Sequence, residues 1–387
     1  MPAPDSAPPM IRTDPTNAFA HHTMRVRVPS IVRQVRDLNP DYPPSIRRAL
    51  DALAHGMEND APIPPLDLPA PDYKGWAAAH AAHEGDSWLH TDWFYAENFA
   101  YRLVIQAVRW WETGRDPFAP VKHEEERGDA LWQLVERSWP PAHNPQERLH
   151  ALLHTALWAN RIDLSYATAA QHGLAVGQED LLVDDSAQAV HHLLRASGPV
   201  HLVADNAGRE LAMDLLLAAA LLDGVAEQVF IHLKLHPTFV SDATPPDLLR
   251  LLGRMEAARQ APACELGRRL RAALDAGRLR LAPDLFWNSS ALLWDMPPRL
   301  ARLFSGARLV IFKGDANYRR LVGDALWPPQ TPFADVVAYF PAPLLALRSL
   351  KSDPIVGLSP GLAPRLDALD PHWRTNGQRG VLQAALP

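Results

Sequence analysis

The chain has 387 residues, 47% of them hydrophobic and 21% charged, ordinary figures for a globular protein with a large buried core. Its formal net charge of −6 excludes a general nucleic-acid binder, which carries a basic surplus. The single cysteine, Cys264, excludes an internal disulfide and a thiolate metal site, and nothing in the composition calls for an oxidising compartment.

Residues 1–20 are rich in Pro, Ala and Asp and lack an apolar stretch, so they read as a disordered leader and not as a signal peptide. No apolar run approaches the ~18 residues of a membrane span, and the expected location is the cytoplasm. Residues 21–196 form a helical N-terminal region. Within it, 61–71 is a Pro-rich extended connector, and apolar residues at spacings of three and four predict helices over 93–111 and 130–139. A helix over 146–160 starts after Asn144-Pro145, and another covers 185–196. No strand is expected before Val200.

From residue 197 to 387 the pattern changes to an α/β core. Short apolar runs predict strands at 200–204, 229–233, 279–281, 308–312, 336–340 and 355–356. Helices fill 208–222, closed by Asp223-Gly224, and 246–276, stopped by Gly277. Strands separated by helices predict a mostly parallel sheet covered on both faces, a three-layer α/β/α arrangement. Ligands of such sheets bind beyond the carboxyl ends of the strands.

Polar residues gather at those ends. Asp205-Asn206 follows the first strand, and Lys234, Ser241 and Asp242 follow the second. Lys313-Gly314-Asp315-Ala316-Asn317-Tyr318-Arg319 follows the run at 308–312, and Arg348-Ser349-Leu350-Lys351 comes near the end. Carboxylate and amide oxygens from separate loops suit a hard divalent cation, and Lys313, Arg319, Arg348 and Lys351 suit a phosphate. A cation beside a basic clamp is what phosphoryl transfer needs, because its barrier falls through positioning and charge stabilisation. Each loop also has a plainer reading, as a helix cap or a solvated charged surface.

Taken together, these segments resemble the damage-control phosphatase family, once catalogued as a domain of unknown function and including the acidic residue methyltransferase proteins. The match is to the subfamily with an Arg-Thr-x-Lys motif. Six motifs occur in the family's order: Trp93-Phe94-Tyr95-Ala96-Glu97 with Tyr101-Arg102, the stretch from Leu157 to Ser165, Asp205-Asn206-Ala207-Gly208, Phe239-Val240-Ser241-Asp242, Lys313 to Arg319, and Arg348 to Lys351. The resemblance implies a metal-dependent phosphoric monoester hydrolase acting on sugar phosphates such as fructose 1-phosphate or fructose 6-phosphate. It implies a divalent cation, Mn²⁺ first and Co²⁺, Ni²⁺ or Mg²⁺ next, held by Asp205, Asn206 and Asp242. By the same carry-over Asp205, Asn206 and Asp315 are catalytic, and Asp315, Asn317, Tyr318, Arg319, Arg348, Lys351 and Glu97 bind substrate. Two departures stand out: Ser349 replaces the usual Thr and keeps its hydroxyl, and Ala316 replaces a larger apolar residue, which alters the pocket wall.

Attack by water and attack by Asp205 are both compatible with this set, and Asp315 is a candidate acid or base. Glu97, Tyr101, Arg102, Asn160 and Asp163 either buttress the site or fill a core. Two other functions stay open: an S-adenosylmethionine-dependent protein carboxyl methyltransferase, for which Glu210 is the residue to inspect, and a non-catalytic sugar-phosphate binder. The first lacks a glycine-rich cofactor loop. A serine-esterase elbow at Gly357-Leu358-Ser359-Pro360-Gly361 fails because Pro360 has no N–H for an oxyanion hole. The 17 histidines include no His-Glu-x-x-His run and read as scattered core and surface residues. Neither nucleic acid nor membrane is an expected partner, and oligomeric state is left unassigned.

Overall fold

The computed structural model describes residues 7–67, 69–127, 129–139, 144–159 and 180–387. Seven strands form one sheet: β1 (Leu181–Asp184), β2 (Val200–Val203), β3 (Val229–Leu233), β4 (Leu279–Pro283), β5 (Leu309–Lys313), β6 (Leu344–Ser349) and β7 (Gly380–Ala385). Their order is β1-β7-β6-β5-β2-β3-β4. All neighbours are parallel except β6 and β7.

Side chains alternate across the pleat, and both faces are apolar. Leu309 and Ile311 join one buried cluster, whereas Val310 and Phe312 join another on the opposite face. The first is roofed by the helices Pro145–Trp158, Ser186–Arg195, Arg209–Leu222, Pro245–Glu256 and Ala261–Asp275, and the second by Pro298–Phe304, Asp315–Val322 and Leu362–Leu369. The architecture is therefore a three-layer α/β/α core, as expected. A third cluster, drawn from residues 11–118, belongs to the helical N-terminal part. Leu131, Trp132 and Leu149 pack with the sheet instead. The core thus draws on chain that the sequence reading placed within the 21–196 region.

Several expectations are corrected. A strand precedes Val200, namely β1. Residues 336–340 and 355–356 are not strands: Phe333–Val336 is a helical turn, and Val336, Phe340, Ile355 and Val356 are apolar because they pack under the second face. The missing strands are β6 and β7. The helix read as 93–111 ends at Ala107, since Arg109 takes a left-handed backbone (φ 55°) before a short turn, Trp110–Thr113. Residues 10–20 are no disordered leader. Ile11 is buried and its N–H donates to the Asp324 carbonyl at 2.9 Å, and Asn17 Nδ2 donates to Asp353 at 2.8 Å. This segment laces the helical part to the sheet. Asn160, Asp163 and the end of the second motif lie outside the described residues. Among the described residues no helix is long and apolar enough to cross a membrane.

From β2 the chain winds through β3 to β4, then returns to the other side of β2 as β5 and β6. The winding direction reverses between β2 and β5, where open α/β sheets leave a crevice for ligands.

Candidate active site

The crevice is built by loops leaving β2, β3, β5 and β6, four adjacent strands. Beyond β2 the chain stays extended and zips to the loop after β3. The Ala243 N–H donates to the Asp205 carbonyl and the Ala207 N–H to that of Ser241, both at 2.7 Å, and Asn206 and Asp242 form a bridge pair. Ser241 Oγ donates to Asn206 Oδ1 at 2.6 Å. Asp205, Asn206 and Asp242, about forty residues apart in sequence, are thus brought together as the sequence predicted.

The turn into Asp242 is strained. Phe239 and Val240 have φ of 44° and 67°, a region that bulky and β-branched residues rarely occupy. The Phe239 ring lies 4.9 Å from that of Tyr101, so the helical part holds the turn. A second tie is buried behind it: Arg102 donates twice to Asp72, at 2.6 and 2.9 Å, and His236 Nε2 lies 3.6 Å from the same carboxylate. Arg102 therefore fixes the Asp72 carboxylate that His236, from the loop after β3, approaches.

Negative charge is crowded here. Burial, then Glu210 and Asp242, push the Asp205 carboxyl well above its usual range against Lys351 and Lys234. Burial raises Asp242 as well. Asp242 Oδ2 lies 3.3 Å from Lys234 Nζ but is buried with no hydrogen-bond partner among the described residues. Glu210 receives Asn206 Nδ2 at 3.0 Å, and burial raises it, but Lys313 and Lys351 hold it below the usual value.

The predicted phosphate clamp is sorted by these contacts. Lys313 is buried between Glu210 (3.2 Å) and Asp214 (2.8 Å). Arg319 pairs with Glu97 at 2.6 Å and Asp324 at 2.6 Å, and lies 3.6 Å over the Trp93 ring. Arg348 is fully buried, donating to Asp315 at 2.8 Å and to Ser352. In this structure these three cations are all paired with protein carboxylates. Tyr318 is 1% exposed, its hydroxyl donating to Gln383 at 2.9 Å. Asn317 gives its Nδ2 to the Lys313 and Ala204 carbonyls and leaves a buried Oδ1 without a partner among the described residues. Lys351 differs from the other cations. It is exposed, its N–H donates to Asp315 at 3.0 Å, and its ammonium acts on Asp205 and Glu210.

The profile of the damage-control phosphatase ARMT1-like domain matches residues 23–366. This chain belongs to that damage-control phosphatase family. Among its relatives is damage-control phosphatase ARMT1 of Danio rerio, 30% identical, with 96% of this chain and 95% of that protein covered. The human protein of the same name is 27% identical, over 95% and 96%. A solved structure of a DUF89 family protein from Pyrococcus horikoshii aligns with 95% of both chains at 16% identity and a TM-score of 0.49. The family resemblance read from the six motifs is borne out. Two contributors to this phosphatase's site have no role assigned from the sequence: Gly314, named there only as part of its segment although its place between a strand and an acidic helix start was an available signal, and the Asp72–His236 contact, which left none.

Proposed function

We propose that this damage-control phosphatase is metal-dependent and releases phosphate from small sugar phosphates such as fructose 1-phosphate or fructose 6-phosphate. Cysteine usage leads us to assign the activity to the cytoplasm. The observation that carries the cation is Asp242 Oδ2, buried beside Asp205 and Asn206 with no hydrogen bond among the described residues and Lys234 at 3.3 Å. Two carboxylates and an amide are the donor set of a hard divalent ion, and in the structure burial, Glu210 and Asp242 still outweigh Lys351 and Lys234 at Asp205, an excess of negative charge that a cation would offset. Asp205, Asn206 and Asp242 would hold it, and bound there it supplies charge neutralisation to a phosphoryl group; Mn²⁺ is our first choice.

Lys351 meets the phosphate from the rim, where its ammonium offsets the charge that develops as the ester opens. Asp315 fixes that lysine's backbone and is itself fixed by Arg348. Glu97 and Arg319 act as one ion pair that closes the helical part over the crevice, and the free Asn317 Oδ1 is an acceptor for a sugar hydroxyl. Phosphate release from a panel of sugar phosphates, with Mn²⁺ and with chelator, tests the proposal. Turnover is expected only with metal and is expected to vanish in Asp205→Asn. Undiminished release in chelator would overturn it.

A further inference from the structure

Far along the sheet from the crevice, at its β1 edge, three other side chains converge. The helix Pro145–Trp158 buries Leu149, Leu152, Leu153 and Ala156 against the sheet. His150 and His154, four apart on that helix, project from one flank. The imidazoles are 4.7 Å apart between ring centres and tilted by 34°. Opposite them β1 ends at Asp184, one of whose oxygens accepts the Ser186 N–H at 3.0 Å. The other oxygen lies 3.2 Å from His154 Nε2. One ligand atom from each of His150, His154 and Asp184 falls within 4.8 Å of the other two.

The geometry points to a second cation site, in which His150, His154 and Asp184 bind a borderline divalent ion of the Zn²⁺, Co²⁺ or Ni²⁺ class. Two imidazoles and one carboxylate are a donor set for such ions, whereas the oxygen-only set of the crevice suits harder ones. Tetrahedral zinc spaces its ligand atoms about 3.3 Å apart, so the cluster needs only a small contraction. The side chains of His154 and Asp184 are 28% and 36% exposed, which leaves room for entry and for a water as fourth ligand.

An ion pair between His154 and Asp184 accounts for those two residues without metal, but not for His150, whose ring has no hydrogen bond among the described residues. A bound ion would tie the helix to β1, a four-residue strand whose ladder among the described residues runs only to β7. The site's role is then structural: the ion pins the sheet edge. Assays with Co²⁺, Ni²⁺ or Zn²⁺ would load both sites.

The test is zinc binding by the untagged full chain carrying Asp205→Asn and Asp242→Asn, which silences the crevice, followed by calorimetric titration and a thermal melt. One zinc ion per chain and a raised melting temperature are expected. Adding His150→Gln should weaken binding by at least about tenfold and remove the thermal gain, while circular dichroism stays unchanged. His154→Gln serves as a second variant should the first misfold. No zinc binding in the crevice-silenced protein, or full binding after both histidines are replaced, overturns the site.

Discussion

Gly314 lies directly beneath the carboxylate of Asp205: a Cβ built at 314 would fall 1.9 Å from Asp205 Oδ2. Its backbone, at φ 88° and ψ 171°, occupies a region open essentially to glycine alone. The loops after β2 and β5, which flank the switch point, are interlocked at this contact. Gly314→Ala must therefore strain its own backbone and displace Asp205. A destabilisation of about 2–3 kcal/mol and a loss of phosphate release of about a hundredfold or more are expected from denaturant unfolding and a release assay. Wild-type turnover in this variant would show that Asp205 need not be where the fold puts it.

The sheet was legible in the sequence where burial is continuous. Leu309 to Phe312 is apolar throughout because both faces of β5 are covered. β7 was not, because Gly380, Ala384 and Ala385 give a weak strand pattern. Residues 336–340 misled for the opposite reason, as buried Val and Phe in a turn look like a strand. For the site, Asp205, Asn206 and Asp242 were readable because strand ends and family motifs coincide there. The fate of the cations was not. Spacing carries no sign that Arg319 meets Glu97, 222 residues away, so four basic residues looked alike when three of them serve the protein's own acids.

Arg348 is the anchor of the loop that carries Lys351. Its guanidinium also donates to the Pro354 carbonyl and lies 4.3 Å over the Tyr318 ring. Arg348→Met keeps the volume and removes every donor, leaving Asp315 without its buried partner. We predict a loss of about 3–5 kcal/mol in unfolding free energy. A loss below about 1 kcal/mol would mean that Asp315 is solvated and the loop is held by other contacts.

Acid tests the tie between the layers. Burial raises the Asp72 carboxyl, but His236 and Arg102 outweigh it and lower the pKa to about 2. A depressed carboxylate stabilises the fold above its unfolded pKa and ceases to do so as pH falls through the folded value. Asp72 should thus contribute about 2 kcal/mol at neutral pH that is lost between roughly pH 4 and pH 2. Asp72→Asn should be less stable than wild type at pH 6, with the gap closing towards pH 2. Urea titrations at both ends measure this, and a gap independent of pH would refute the linkage.

Lys351 and Lys313 offer the sharpest contrast, since both were candidates for the same phosphate. Burial lowers the Lys313 pKa, but Asp214 and Glu210 raise it more, so it stays charged, while Asp214 is itself pushed up to about 6, chiefly by burial. Lys313→Met strands two buried carboxylates and should cost about 3–5 kcal/mol of stability. Lys351 is exposed, and no ion pair of its side chain is found among the described residues. Lys351→Met should leave stability within about 0.5 kcal/mol of wild type and lower turnover by about a hundredfold or more, as loss of a positioned charge does. Unfolding curves and phosphate-release kinetics on the two variants separate the roles. If Lys351→Met retains turnover while remaining folded, the phosphate is held by another group and the rim lysine is only surface charge.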